Sequence, residues 1–224
     1  MKVKISIPTS LNEIKLNQYQ KFVKIATDNE AGTFLNQKMV QIFCNVDLFV
    51  VAKMKQQDLN YAVTKISDLF KKIPELVTKF TLNGTEFGFI PNLNDMSSGE
   101  YMDLDGYITD WEDSHKSMAV LYRPIKQRLG NRYLIEDYEG SDKYAEQMLD
   151  APMDVVLSSK VFFWTLGREL LKSTMDFLEQ SKPMSLVNKH NLEKDGVGIL
   201  AYMPYHRAML EDLMKLPNYP LINA

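Results

Sequence analysis

Thr78-Lys79-Phe80-Thr81-Leu82-Asn83-Gly84-Thr85-Glu86-Phe87-Gly88-Phe89-Ile90 decides between an all-helical chain and a mixed one. On both sides of Asn83-Gly84, apolar and polar residues alternate. That is the two-residue period of a strand, not the period of about 3.6 that marks a helix. Asn-Gly supplies the consecutive residues of positive φ that a tight type I′ turn needs. The stretch predicts a β-hairpin, with Phe80, Leu82, Phe87 and Phe89 divided between its two faces.

Upstream the period is helical. Leu16, Tyr19, Phe22, Val23 and Ala26 make one stripe over 15–27, and Leu35, Met39, Ile42 and Phe43 make another over 34–44. Residues 46–54 are apolar and β-branched enough for a strand or a short helix, and we read them as the helix. Asp58 is placed to N-cap a third helix whose stripe is Leu59, Ala62, Val63, Ile66, Leu69 and Phe70, with Pro74 beyond its end. Before all of these, Val3, Ile5 and Ile7 alternate with Lys4 and Ser6, which predicts a half-buried strand over 3–7 ended by Pro8.

Downstream, Tyr101, Leu104, Ile108, Trp111, His115, Met118 and Tyr122 recur at alternating spacings of three and four, a heptad-like seam. Ser97 or Ser98 can cap its start and Pro124 stops it. Gly106 leaves open one helix or two joined end to end. Asp103, Asp105, Asp110, Glu112 and Asp113 make the opposite surface acidic. A second hairpin is expected over Ile125–Leu129 and Arg132–Tyr138, turning at Gly130-Asn131, followed by a short helix over 142–149. From Met153 to Gln180 two apolar stripes predict a helix buried between layers, with Phe163, Trp164, Leu166 and Leu170 in the core. A short helix over 205–216 precedes Pro217-Asn218-Tyr219-Pro220-Leu221-Ile222, read as an extended arm that docks on a neighbour. The expectation is an α+β, predominantly helical fold: a helical core with two β-hairpins in a single domain over 1–216, and a carboxy-terminal arm over 217–224.

Composition narrows the function. At 224 residues, 45% hydrophobic and 25% charged, the chain can build a sizeable core. A net charge of −3 argues against a dedicated nucleic-acid binder, which normally carries a strong basic excess. No apolar run approaches the length of a membrane span, and the amino terminus lacks the apolar region of a signal peptide, so we expect a cytoplasmic setting and no membrane. Asn83-Gly84-Thr85 is accordingly a turn and not a glycosylation acceptor. The single cysteine, Cys44, follows Gln41-Ile42-Phe43 on a buried helix face and reads as a structural thiol.

The residue patterns of common chemistry are missing. His115, His190 and His206 are scattered, with no ligand spacing for zinc. There is no GxxxxGK[ST] loop and no GxGxxG. Asp103-Leu104-Asp105-Gly106 has its glycine too early for a calcium loop. We expect no cofactor, no metal and no enzyme. An active site assembled from the distant Glu100, Asp113 and His115 is the lesser alternative. Arg123, Lys126, Arg128 and Arg132 crowd the second turn and are followed at once by Glu136, Asp137, Glu139 and Asp142. Either these charges pair across a solvated hairpin, or the turn is a basic finger for a DNA backbone or an acidic neighbour.

One block resembles a known group of proteins. Phe87-Gly88-Phe89-Ile90-Pro91-Asn92-Leu93, Gly99-Glu100-Tyr101-Met102-Asp103-Leu104-Asp105, Trp111, His115-Lys116 and Met118-Ala119-Val120-Leu121-Tyr122-Arg123-Pro124 are similar to small virion and tail-module proteins of large tailed phages, notably crAss-like phages. Leu11-Asn12-Glu13-Ile14-Lys15-Leu16-Asn17-Gln18-Tyr19-Gln20-Lys21-Phe22 fits the same likeness, which covers about a third of the chain. The resemblance implies a bacteriophage structural protein of the virion, assembled in the host cytoplasm: a head-tail connector or tail ring component. A tail-assembly chaperone or packaged cargo protein is the alternative. Expected partners are copies of itself, closing into a ring, and other phage structural proteins. The candidate contact residues are Trp111 and Tyr122 on the seam, Arg123, Lys126, Arg128 and Arg132 at the basic turn, and Tyr219, Leu221 and Ile222 on the arm.

Overall fold

The computed structural model describes residues 5–72, 74–130 and 132–180. The fold is α+β and predominantly helical, with a four-stranded antiparallel sheet. Expectations that fall on Val3, on the helix over 205–216 and on the arm over 217–224 lie outside the described residues, as does the boundary at 216.

Helix α1 (Leu16–Thr27) buries Leu16, Tyr19, Phe22 and Ala26 of the expected stripe and leaves Val23 half-buried. Its start is tied to the far end of the described chain. Leu16 N–H donates to Ala151 O and Asn17 N–H to Leu149 O, both at 2.9 Å, while Met153 N–H returns a bond of 2.9 Å to Ile14 O. These carbonyls satisfy donors that a helix start leaves unpaired. Helix α2 (Thr33–Phe43) follows, then the short α3 (Leu48–Ala52), whose N-cap Asp47 accepts from Phe49 N–H. Helix α4 (Gln56–Phe70) begins ahead of Asp58, which therefore sits in its first turn, where a carboxylate favours the helix dipole, and is not its cap. Rings join the three long helices: Phe22 to Phe43 at 5.3 Å, Phe43 to Phe70 at 5.8 Å and Tyr19 to Phe70 at 5.4 Å. Residues 5–8 form no strand, contrary to expectation: their backbone finds no ladder partner, and Ile5 and Ile7 pack half-buried on the core.

Strands β1 (Lys79–Leu82) and β2 (Thr85–Phe89) form the expected hairpin, with Asn83 at φ 50° and Gly84 at φ 81°. The expected division of its apolar residues is wrong. A two-residue loop pairs Phe80 with Phe87 and Leu82 with Thr85, so Phe80, Leu82, Phe87 and Phe89 share one face. Helix α5 (Ser98–Tyr107) and helix α6 (Ser114–Leu121) then lead into β3 (Tyr122–Leu129), which pairs with β2 and with β4 (Arg132–Ile135). The second hairpin exists, with Gly130 at φ 61°, but the two hairpins are one sheet in the order β1-β2-β3-β4. Pro124 does not stop a helix. It lies in β3 opposite Phe87, a strand position that its fixed φ permits.

The seam is broken. Leu104, Ile108 and Met118 are buried, Trp111 and His115 are half-buried, and Tyr101 faces solvent. A continuous helix would have consumed the carbonyls of residues 108–112 internally; here those of Ile108, Trp111 and Glu112 meet distant side-chain donors. Lys160 Nζ donates to Ile108 O at 2.7 Å, and Gln20 Nε2 donates to Trp111 O at 2.8 Å and Glu112 O at 3.0 Å.

Helices α7 (Asp142–Met148) and α8 (Met153–Gln180) close the sheet's apolar face. Tyr144 meets Phe87 edge-on at 5.6 Å, and Phe162 meets Phe89 at 5.6 Å. In α8 it is Met153 and Val155–Lys160 that are buried; Phe163 and Trp164 are half-buried and Leu166 is 43% exposed, correcting its place in the core. The described layers meet the helix at its amino-terminal turns, so burial declines along it. The side chain of Leu170 lies outside the described residues.

Candidate contact surface

The residues expected at a contact surface separate into three groups. Tyr122 and Arg123 are interior, 0% and 7% exposed, and neither reaches a partner. Tyr122 donates to Val77 O at 2.7 Å and packs among Phe80 and Phe89, while burial pushes its hydroxyl well above the usual tyrosine range. Arg123 pairs with Glu100 at 2.6 Å, both side chains under a tenth exposed. The basic cluster therefore loses one member to the core. A strand at the sheet's centre alternates sides, and α5 covers the side that Arg123 takes.

Trp111 is half-buried. Its ring lies 4.7 Å from that of Tyr19, and the Lys160 ammonium sits 4.5 Å from its centroid, so it anchors the α5–α6 linker.

Lys126, Arg128 and Arg132 do stand at the surface, on a ribbon. Strand β2 pairs with β3 only over Phe87–Phe89, whereas β3 and β4 continue together to Leu129 and Arg132. A bulge at Lys126 lies between the paired Ile125 and Gln127. Lys126 Nζ reaches Asp137 at 2.9 Å, and this hydrogen-bonded lysine holds the carboxyl of Asp137 below its ordinary pKa. Arg128 pairs with Glu86 of β2. Two of the charges thus pair across strands, which is the solvated-hairpin arrangement. Arg132 is exposed and makes no ion pair among the described residues. Beside it, Leu134 is 52% exposed, which the alternation of β4 could have signalled had its burial been assigned.

The residues of the assembled-site alternative are engaged separately. Glu100 caps α5 and holds Arg123, Asp113 pairs with Lys116 at 2.8 Å, and His115 Nδ1 lies 3.4 Å from the Gln20 amide. Asp103 accepts from the Tyr138 hydroxyl. Among the described residues no three His, Cys, Asp or Glu side chains gather as metal ligands, and no helix is long and apolar enough to cross a membrane. His190, His206, Tyr219, Leu221 and Ile222 lie outside the described residues.

Two further features escaped the sequence reading. Phe34, Phe49 and Tyr61 are exposed, and each has a lysine four residues on over its ring: Lys38 at 5.7 Å, Lys53 at 3.6 Å and Lys65 at 5.6 Å. The aromatic-x-x-x-Lys spacing was the available signal. A cleft of about 610 Å³ also opens between residues 6–8, α1 and the end of α2, with Lys15, Lys21, Gln41 and Asn45 on its wall. Its polar groups are partly spent on the fold: Lys15 pairs with Asp150 at 2.9 Å, and Gln18 donates to Ile42 O at 2.7 Å. No spacing in the sequence announces it, because its walls come from separate elements.

No family model, curated protein or solved structure matches the chain.

Proposed function

We propose that the protein is a structural component of a tailed-phage particle, of the head-tail connector or tail-ring kind, working through subunit contacts and not through catalysis. The observation that carries this reading is the β3–β4 ribbon. It extends past its pairing with β2, ends the sheet in an edge that is open among the described residues, and presents Arg132 and Leu134 to solvent. An apolar side chain beside an unpaired arginine on an exposed sheet edge is the composition of a contact that excludes water at its centre and is oriented by charge at its rim. The likeness of the quoted blocks between Phe87 and Pro124 to virion and tail-module proteins supports reading that contact as one within a particle, with its other proteins as the remaining partners. The segment with Tyr219, Leu221 and Ile222, expected from the sequence as a second contact, lies outside the described residues.

Mass spectrometry of purified particles tests the reading. The expected result is the chain present at a fixed ratio to the other structural proteins. Its presence in lysates and absence from finished particles would overturn the permanent-component reading in favour of an assembly chaperone.

A further inference from the structure

The open edge of β4 has a feature beyond exposure: it is complementary to itself. Glu136 N–H donates to Pro124 O at 2.9 Å, so the backbone groups of even-numbered residues in β4 face β3. By alternation, the N–H and C=O groups of Tyr133 and Ile135 point away from the sheet, and among the described residues no strand pairs with that edge. An antiparallel copy of β4 must place outward groups opposite outward groups. The register that sets Tyr133 against Ile135 of a second copy, and Ile135 against its Tyr133, does so. It puts Leu134 opposite its own equivalent on the two-fold axis and Arg132 opposite Glu136 on both sides of it.

Side-chain placement agrees with that register. The Glu136 carboxylate accepts from the Tyr144 hydroxyl at 2.6 Å, and Tyr144 packs on Phe87, so Glu136 lies on the sheet's α7 face. Leu134 and Arg132, two and four residues earlier, lie on that same face. Both are exposed there, while Glu136 already gathers Lys143 at 3.1 Å and has carboxylate lone pairs left to accept an arginine fork.

We infer that the chain pairs with a second copy of itself through β4, joining the two sheets edge to edge about a two-fold axis at Leu134. This deepens, and rests on, the reading of the β3–β4 ribbon as a subunit contact. The contact is isologous and closes at two copies, so the expected ring then needs a second, different contact. Main-chain bonds from Tyr133 and Ile135 supply the attraction, Leu134 the dry centre, and the Arg132–Glu136 pairs the register.

The test is a cross-link on the axis in the full 224-residue chain. Opposed Cβ atoms at such a non-hydrogen-bonded pair lie about 4.5–5.5 Å apart, close enough for a disulfide after small adjustment. Leu134→Cys under mild oxidation is expected to run as a covalent dimer, whereas Thr81→Cys, on the exposed opposite edge strand, is not. The native Cys44 is buried and does not confuse the result. In sedimentation, Arg132→Glu should weaken the dimer, and adding Glu136→Arg should restore it. Cross-linking of Leu134→Cys no greater than that of Thr81→Cys, or a wild-type chain that sediments as a monomer at the same concentration, overturns the pairing. A monomeric chain that still enters particles removes the pairing alone. A chain that cross-links on the axis yet is missing from particles supports the pairing and removes the particle reading.

Discussion

The ring of Tyr133 lies directly on Gly88, two strands away across the sheet, and its hydroxyl donates to Phe89 O at 2.8 Å and Thr78 O at 3.2 Å. A Cβ at position 88 would meet Tyr133 Cε2 at 2.5 Å and Ile125 Cγ1 at 3.0 Å. The glycine is there for close approach. Gly88→Ala should therefore destabilise the protein by about 1–3 kcal/mol, as overpacking does. In Tyr133→Ala the same substitution should cost less, because the obstructing ring is gone. Urea unfolding of the double-mutant cycle measures this, and strict additivity would remove the contact from the account.

Glu100 is a buried carboxylate with two strong partners. It accepts from Ser97 N–H at 2.6 Å and pairs with Arg123 at 2.6 Å. Burial raises its pKa, but the Ser97 hydrogen bonds and Arg123 outweigh burial and leave the group below its ordinary value. Glu100→Ala leaves a buried guanidinium unpaired and should cost about 3–5 kcal/mol. A depressed folded-state pKa stabilises fully above the unfolded value and is lost as pH falls through the folded one. The contribution should therefore fade below the ordinary carboxylate pKa of about 4.3. Acid titration of wild type against Glu100→Gln checks this: the variant should show the smaller slope in that window.

Cys44 lines the core at the end of α2, and burial pushes its thiol up to about 11. Only the thiolate attacks a disulfide reagent. At pH 8 the native protein should react far more slowly than the urea-unfolded chain, and the rate should track unfolding. A native rate equal to that of the unfolded chain would show an accessible thiol.

Lys160 is 5% exposed, with its Nζ on Ile108 O at 2.7 Å. Lys160→Met keeps the apolar stem but removes the donor to a carbonyl of the α5–α6 linker. We expect a loss of about 1–3 kcal/mol. Hydrogen exchange should show faster opening of residues 108–113 in the variant than of α1, and equal protection in both segments would contradict the clamp.

What the chain determines by itself is what neighbours in sequence can decide. Asn83-Gly84 makes its turn because backbone sterics at those two positions suffice. Ser97 and Glu100 cap α5 reciprocally, three residues apart. The stripes of α1, α2 and α4 bury most of the residues their period selects, with Val23, Ile42, Leu69 and Phe70 half-buried at their margins. Nothing so local could place Arg123 inside. That required Glu100, brought up by a helix whose docking depends on the whole sheet. Nor could spacing reveal that the seam over 101–122 ends in a strand, since Tyr122 is drawn into the sheet by pairing with Phe89, and the linker between α5 and α6 is held by the distant donors Gln20 and Lys160. The hairpin's shared apolar face, by contrast, was legible: a two-residue Asn83-Gly84 turn sets Leu82 opposite Thr85 and Phe80 opposite Phe87, and the expected division left that register out. The joining of two hairpins into one sheet, which leaves β4 as its open edge among the described residues, was decided by long-range pairing alone, because a strand's edge is defined only by which neighbours it has.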